Sequence, residues 1–199
     1  EISPTPFSCL VKAEDKWLIC ASPERFIKKE GENIYSQPIK GTIRRGKTKE
    51  EDLALKEKLK TDPKETAENV MIVDLVRNDL SRIAQRNSVQ VQKLNEIQSF
   101  QTVHQLVSTI SCKVSKELKF SDILRATFPM GSMTGAPKLR AMELMEEFED
   151  FRRGLYSGSV GYIDEKGNFD LNVVIRSIIH HLPSKTTTFP VGSAIPNAS

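Results

Sequence analysis

Two helix-start signals set back to back constrain this fold more than any other feature of the sequence. Thr48 followed three residues later by Glu51 reads as a capping box. Asp62, Pro63 and Glu65 then supply a second start: a cap, a proline at the first helical position and an acid in the first turn. The first helix is mostly Lys and Glu, punctuated by Leu53, Leu55 and Leu59, so it is predicted to be peripheral. The second is predicted over residues 63–80. Its residues 70–73 are apolar on every side, which predicts a buried helix there. Asp74, Arg77, Asn78 and Asp79 read as an internal ion-pair network on it. Glu68 has only Lys64 as a local basic neighbour, and a lone carboxylate facing a site suits Mg²⁺.

Strand-like runs lie on both sides of these helices. Residues 7–11 and 16–21 form a predicted hairpin, which Pro23 stops, because it has no N–H to give a ladder. Glu24 is thereby presented at a strand end, either in a site or as an exposed partner of Arg25. A second hairpin turns at residues 30–32 and leads to Pro38, Ile39, Lys40 and Gly41. Lys40 beside a glycine is either a solvated lysine in a surface turn or an amine able to act as a nucleophile. Further strands are predicted at 89–94, 103–114, 169–181 and 186–191, with a short helix at 120–126. His104 begins one of those strands, as a core histidine or a ligand contact. Arg176 lies inside another, where a buried charge needs an acid or an anionic ligand.

Between them, residues 130–138 carry two glycines and small hydroxyl residues before a helix, a plausible carboxylate site at a positive helix end. Leu139, Met142, Met145 and Phe148 recur at helical spacing and are expected in the core. Periodicity alone thus gives a mixed α and β domain over residues 1–199.

The balance of 29 basic and 26 acidic residues, mixed along the chain, is not the footprint of a nucleic-acid binder. No apolar run approaches transmembrane length. Three widely spaced cysteines form neither a metal spacing nor a disulfide framework, so a reducing, cytoplasmic setting is expected.

Six motifs then appear in order. They are Ser22-Pro23-Glu24-Arg25-Phe26, Pro38-Ile39-Lys40-Gly41-Thr42, the helix from Ala67 to Asp79, Gly135-Ala136-Pro137-Lys138, the stretch from Tyr156 to Tyr162, and Ile175-Arg176-Ser177. Together they resemble the chorismate-utilising enzymes, over essentially the whole chain. The resemblance implies an α+β fold with antiparallel sheets packed face to face and helices outside, like that of anthranilate synthase component I. It implies Lys40 as a nucleophile at C2 of chorismate and Glu24 as the acid for the departing C4 hydroxyl. It implies Mg²⁺ on the ring carboxylate with Glu68 as a ligand, and Tyr156 with Arg176 on the enolpyruvyl carboxylate. Gly41, Thr42 and Gly192 match backbone or hydroxyl contacts, and His104 matches a position near the ring. Ala194 is assigned no contact.

Lysine at position 40 is similar to the aminodeoxychorismate synthase component I branch, which works on the path to 4-aminobenzoate and folate and takes ammonia from a glutamine amidotransferase subunit. Anthranilate synthases typically carry alanine there. Isochorismate and salicylate synthases, which use water, generally place their lysine elsewhere. A non-catalytic chorismate-binding module is the remaining alternative. The resemblance also implies a sheet region before Glu1 and a second metal carboxylate on a helix after Ser199, so a fragment of the catalytic domain, lacking both, is expected.

Overall fold

The computed structural model describes residues 5–192; residues 193–199, with Ala194 among them, lie outside the described part. The chain opens with β1 (Phe7–Ala13) and β2 (Lys16–Ser22), then passes into β3 (Arg25–Glu30), β4 (Asn33–Gln37) and β5 (Ile39–Arg44). Helices α1 (Lys49–Thr61) and α2 (Pro63–Ser81) follow, then β6 (Gln90–Ser99) and β7 (Val103–Lys113). The last part holds α3 (Phe120–Thr127), a 3-10 turn at Gly131–Met133, α4 (Lys138–Phe148), β8 (Gly161–Ile163), β9 (Phe169–Asn172), β10 (Ser177–His181) and β11 (Thr186–Thr188).

The helix starts behave as their chemistry demands. Thr48 accepts from the Glu51 N–H at 3.2 Å, and the Glu51 carboxylate returns to the Lys47 N–H at 2.6 Å. Asp62 accepts from the N–H groups of Lys64 and Glu65, with Pro63 just inside the helix. Helix α2 is amphipathic and not buried all round. Ile72, Val73, Val76 and Leu80 face the core, whereas Val70 is 37% exposed. The expected internal network divides accordingly. Asp74 and Arg77 pair at 2.8 Å on the exposed face, while Asp79 reaches across to Lys138. That pairing also fixes the loop before α4, since Lys138 donates to the carbonyls of Thr127 and Pro129.

All pairings are antiparallel. One sheet has four strands in the order β1-β2-β10-β11; the other has seven, β5-β7-β4-β3-β9-β8, with β6 along the far edge of β7. The main core lies between the large sheet and α2 with α3, around Ile27, Ile34, Ile110, Phe169, Ile72 and Ile123. A smaller cluster, Leu18, Cys20 and Val174, sits at the four-stranded sheet.

Two strands change sheets side by side. β2 leads through Pro23 and Glu24 into β3, and β9 leads through residues 173–176 into β10. Backbone bonds hold the crossovers together: Val173 N–H to Glu24 O at 3.0 Å, and Ala21 N–H to Arg176 O at 3.2 Å. The predicted single strand over 169–181 is therefore broken. Arg176 stands exposed in the break at φ +49 rather than buried within a strand, because the chain must turn from one sheet to the other there.

The face predicted for α4 is also corrected. Leu139 and Phe148 are each 71% exposed and Met142 37%, while Ala141 is the buried residue. Spacing shows that apolar residues share a face, not what the face meets. Among the described residues no helix is long and apolar enough to cross a membrane.

Candidate active site

The site grows from the seam between the sheets. β4 and β5 run along one edge of β7 as a single strand interrupted at Pro38, whose carbonyl still accepts from the Ser108 N–H at 3.2 Å. Just beyond, the register slips. Ile39 pairs with Val107 and Thr42 with Gln105, so Lys40 and Gly41 together oppose Leu106. This is a two-against-one bulge, a device that bends a strand and re-aims a side chain. Gly41 takes φ +83, and a Cβ there would meet Glu65 Oε2 at 3.0 Å and Leu106 Cδ1 at 3.1 Å. Only glycine satisfies both the backbone and the close approach of α2.

Helix α2 is held in roll by Asn69, fully buried, whose Nδ2 donates to Ser108 Oγ at 2.8 Å and to Asn95 Oδ1. That anchor points Glu65 and Glu68, one turn apart, to the bulge. Glu24 comes from the neighbouring crossover and Arg176 from the one beside it. They enclose an open cleft with two lobes. The first, about 270 Å³, is lined by Lys40, Gly41, Thr42, Glu65, Glu68 and Gln105. The second, about 300 Å³, is lined by Ser132, Met133, Tyr156 and Gly192. Glu24, Lys40 and Arg176 line both and form the junction.

Burial decides the state of Glu24. At 5% exposure its carboxyl is pushed from 4.5 up to about 7 by desolvation. The Ser132 hydroxyl, the Lys40 ammonium, the Ile39 N–H and the Arg176 guanidinium pull it partly back. Even so, Ser132 Oγ is left without a well-formed hydrogen bond. Near neutral pH Glu24 is thus a carboxylic acid as often as a carboxylate, suited to giving a proton. Burial also raises the Tyr156 phenol, which stays protonated and donates to Gly192 O at 3.1 Å.

Both lobes leave a buried polar atom unsatisfied. Ser132 Oγ is one and Gln105 Oε1 is the other; the Gln105 amide nitrogen donates to Thr42 Oγ1 at 3.3 Å. Most buried polar atoms in a folded protein have partners; Ser132 and Gln105 line the cleft, whereas Thr66 Oγ1 and Asn69 Oδ1, also without partners among the described residues, do not.

Of the residues singled out in the sequence, Lys40, Glu24, Glu68, Gly41, Thr42, Tyr156, Arg176 and Gly192 are brought together. His104 is not. It is fully buried, with Nε2 2.9 Å from Asp52 Oδ1 and Nδ1 2.9 Å from Ser99 Oγ. Alternation along β7 sends it to the face opposite its neighbour Gln105. Gln105 and Glu65 were missed. Glu65 was legible, since i and i+3 share a helix face with Glu68; Gln105 was hidden by the attraction of an adjacent histidine. The carboxylate site expected at the start of α4 is replaced by the 3-10 turn, which supplies Ser132 and Met133, while Lys138 is committed to Asp79.

Glu65 and Glu68 fit Mg²⁺, which takes one or two carboxylates and completes its octahedron with water and anionic ligand oxygens. Among the described residues no cluster of three or more His, Cys, Asp or Glu could hold a metal without such help.

Comparison with known proteins gives the family and the fold. The sequence pattern described as chorismate binding enzyme matches residues 1–199. The chain is 48% identical over 184 residues to the chloroplastic aminodeoxychorismate synthase of Arabidopsis thaliana, covering 91% of this chain and 20% of that protein. It is 46% identical over 173 residues to aminodeoxychorismate synthase component 1 of Escherichia coli K12, covering 87% and 38%. The structure of anthranilate synthase component I from Streptococcus pneumoniae superposes with a TM-score of 0.79 at 39% identity, over 89% of this chain and 39% of the other. The chain thus spans well under half the length of these relatives.

Proposed function

The chain belongs to the chorismate-binding enzymes, and we propose that it carries the centre at which the C4 hydroxyl of chorismate is replaced by ammonia, giving 4-amino-4-deoxychorismate. The observation that carries this reading is the bulge that sets Lys40 at the junction of two lobes, beside an acid titrating at about 7. Chorismate has a ring carboxylate and an enolpyruvyl carboxylate, and the two lobes suit one each. Tyr156, Arg176 and the Ser132 hydroxyl receive the enolpyruvyl carboxylate. Gln105 Oε1, an acceptor, is placed for a donor such as a ring hydroxyl or the incoming ammonia. Glu65 and Glu68 would hold Mg²⁺, which when bound neutralises the ring carboxylate and draws electron density from the ring.

Within this frame the chain's own groups divide the work. The Lys40 amine attacks C2 as Glu24 gives its proton to the C4 hydroxyl, which leaves as water. Ammonia then adds at C4 and expels Lys40, with the enolpyruvyl group retained. The relatives named as component 1 support a second subunit; we assign it as a glutamine amidotransferase supplying the ammonia.

The test is intact mass of the full-length protein after chorismate and Mg²⁺ without a nitrogen source. A gain equal to chorismate less one water, mapped to Lys40, is expected. Free isochorismate as the sole product, or 2-aminobenzoate once ammonia is added, would sink the reading.

A further inference from the structure

Cys9 on β1 and Cys20 on β2 are direct cross-strand partners. Directly opposed residues in an antiparallel pair share a face, with Cα atoms about 4.5–5.5 Å apart, within the span of a disulfide. Both thiols are free, and burial, with Cys20 beside it, raises the Cys9 thiol pKa. Cys9 is half-buried and so open to a small oxidant, whereas Cys20 is 2% exposed. Cys20 also touches the crossover that carries Arg176. Its thiol donates to Ile175 O at 3.7 Å, and Asn172 Nδ2 donates to its sulfur at 3.6 Å. Arg176 follows Ile175 directly, at a strained φ of +49 that the surroundings must hold in place.

We propose that Cys9 and Cys20 form a reversible thiol–disulfide site behind the cleft, whose oxidation loosens the Ile175–Arg176 crossover and weakens the grip on an anionic ligand. With a peroxide as oxidant, Cys9 sulfur attacks one oxygen, giving a sulfenic acid and one water. Cys20 sulfur then attacks the sulfenic sulfur and expels the second water. Two thiol protons and two electrons leave, and the peroxide is reduced to two waters. Cys20 loses its proton in the process, so Ile175 O loses the thiol and keeps the Ser177 hydroxyl, at 2.8 Å, as its donor. Cys112, 2% exposed and with its thiol pushed up to about 11 by burial, has no cysteine opposite it and serves as an internal control.

The link to ligand binding rests on the reading of Arg176 as a carboxylate clamp; the disulfide itself does not. The full-length protein is treated with hydrogen peroxide, alkylated in denaturant and mapped by mass spectrometry without reduction. A Cys9–Cys20 linked peptide with Cys112 alkylated is expected; its absence overturns the site. Calorimetric titration of chorismate with Mg²⁺ is then expected to show affinity about three- to tenfold weaker after oxidation. Dithiothreitol restores it, and Cys9→Ser treated identically shows no change. A linked protein with unaltered affinity overturns the coupling. If even the reduced protein fails to bind chorismate, the functional reading fails. The coupling is then decided by amide hydrogen exchange at residues 173–176, which must quicken on oxidation.

Discussion

The two ends of β5 are five residues apart and physically opposite. At one end Lys40 and Gly41 bulge into a cleft with orphaned polar atoms at Gln105 and Ser132 and a carboxyl displaced upward at Glu24. At the other end everything polar is matched. Asp52 accepts from Arg45 Nε at 2.8 Å and Nη2 at 3.0 Å, from the Gly46 N–H at 2.8 Å, and lies 2.9 Å from His104 Nε2. Arg45 Nη1 also donates to Phe100 O at 2.8 Å. The Asp52 carboxyl is held far below the ordinary range, first by Arg45, then by the Gly46 N–H. A saturated cluster has nothing left to offer a ligand and fastens α1 to the sheet; an unsaturated one is where binding energy can be gained.

The sharpest way to break this contrast is at Lys40. Lys40→Ala in the full-length protein is expected to cost about 10³-fold or more in kcat/KM for amination, with Tm little changed. Retention of activity within tenfold would reverse the assignment of the open end. Glu24→Gln comes next, with a loss of about 10²–10⁴-fold. Activity of the parent protein should fall as pH rises through about 7, where Glu24 gives up its proton. Stability should move the same way. The folded state holds this proton above the ordinary 4.5, so the advantage is full below that pH and lost as pH climbs through about 7. The change is up to about 3 kcal/mol and should vanish in Glu24→Gln, read by chemical denaturation across pH.

The closed end is probed by His104→Ala, expected to destabilise by about 2–4 kcal/mol through a cavity and lost hydrogen bonds. Chorismate affinity should be unchanged wherever the variant is folded; weakened affinity at intact stability would move His104 into the site. The smallest effect belongs to Gln105→Leu, with chorismate affinity down about three- to tenfold and stability within about 1 kcal/mol. Isothermal titration and thermal melts on the same samples separate His104 from Gln105.

Much of this was readable in advance. Both helix starts were, because a cap and its N–H partners are local. So were the first two hairpins, and the motif residues that meet in the cleft. The misses share one cause. The burial expected of Arg176, the face of α4 and the placement of His104 all depended on what lies across from a residue in space. A strand of apolar residues around Arg176 looked continuous, yet the chain leaves one sheet for another there. Leu139, Met142 and Phe148 kept their spacing and stayed exposed.

By itself, then, the sequence determined the local elements, the residue types able to do acid, nucleophile and metal chemistry, and the family. Caps, turns and periodicities act over a few residues, and the motifs are read in order along the chain. Only the tertiary structure decided that β2 and β9 change sheets together, that Lys40 sits on a bulge, and that position 105 rather than 104 faces the cleft. Register and bulges are set by pairing between distant strands, and a slip of one residue moves a side chain to the opposite face.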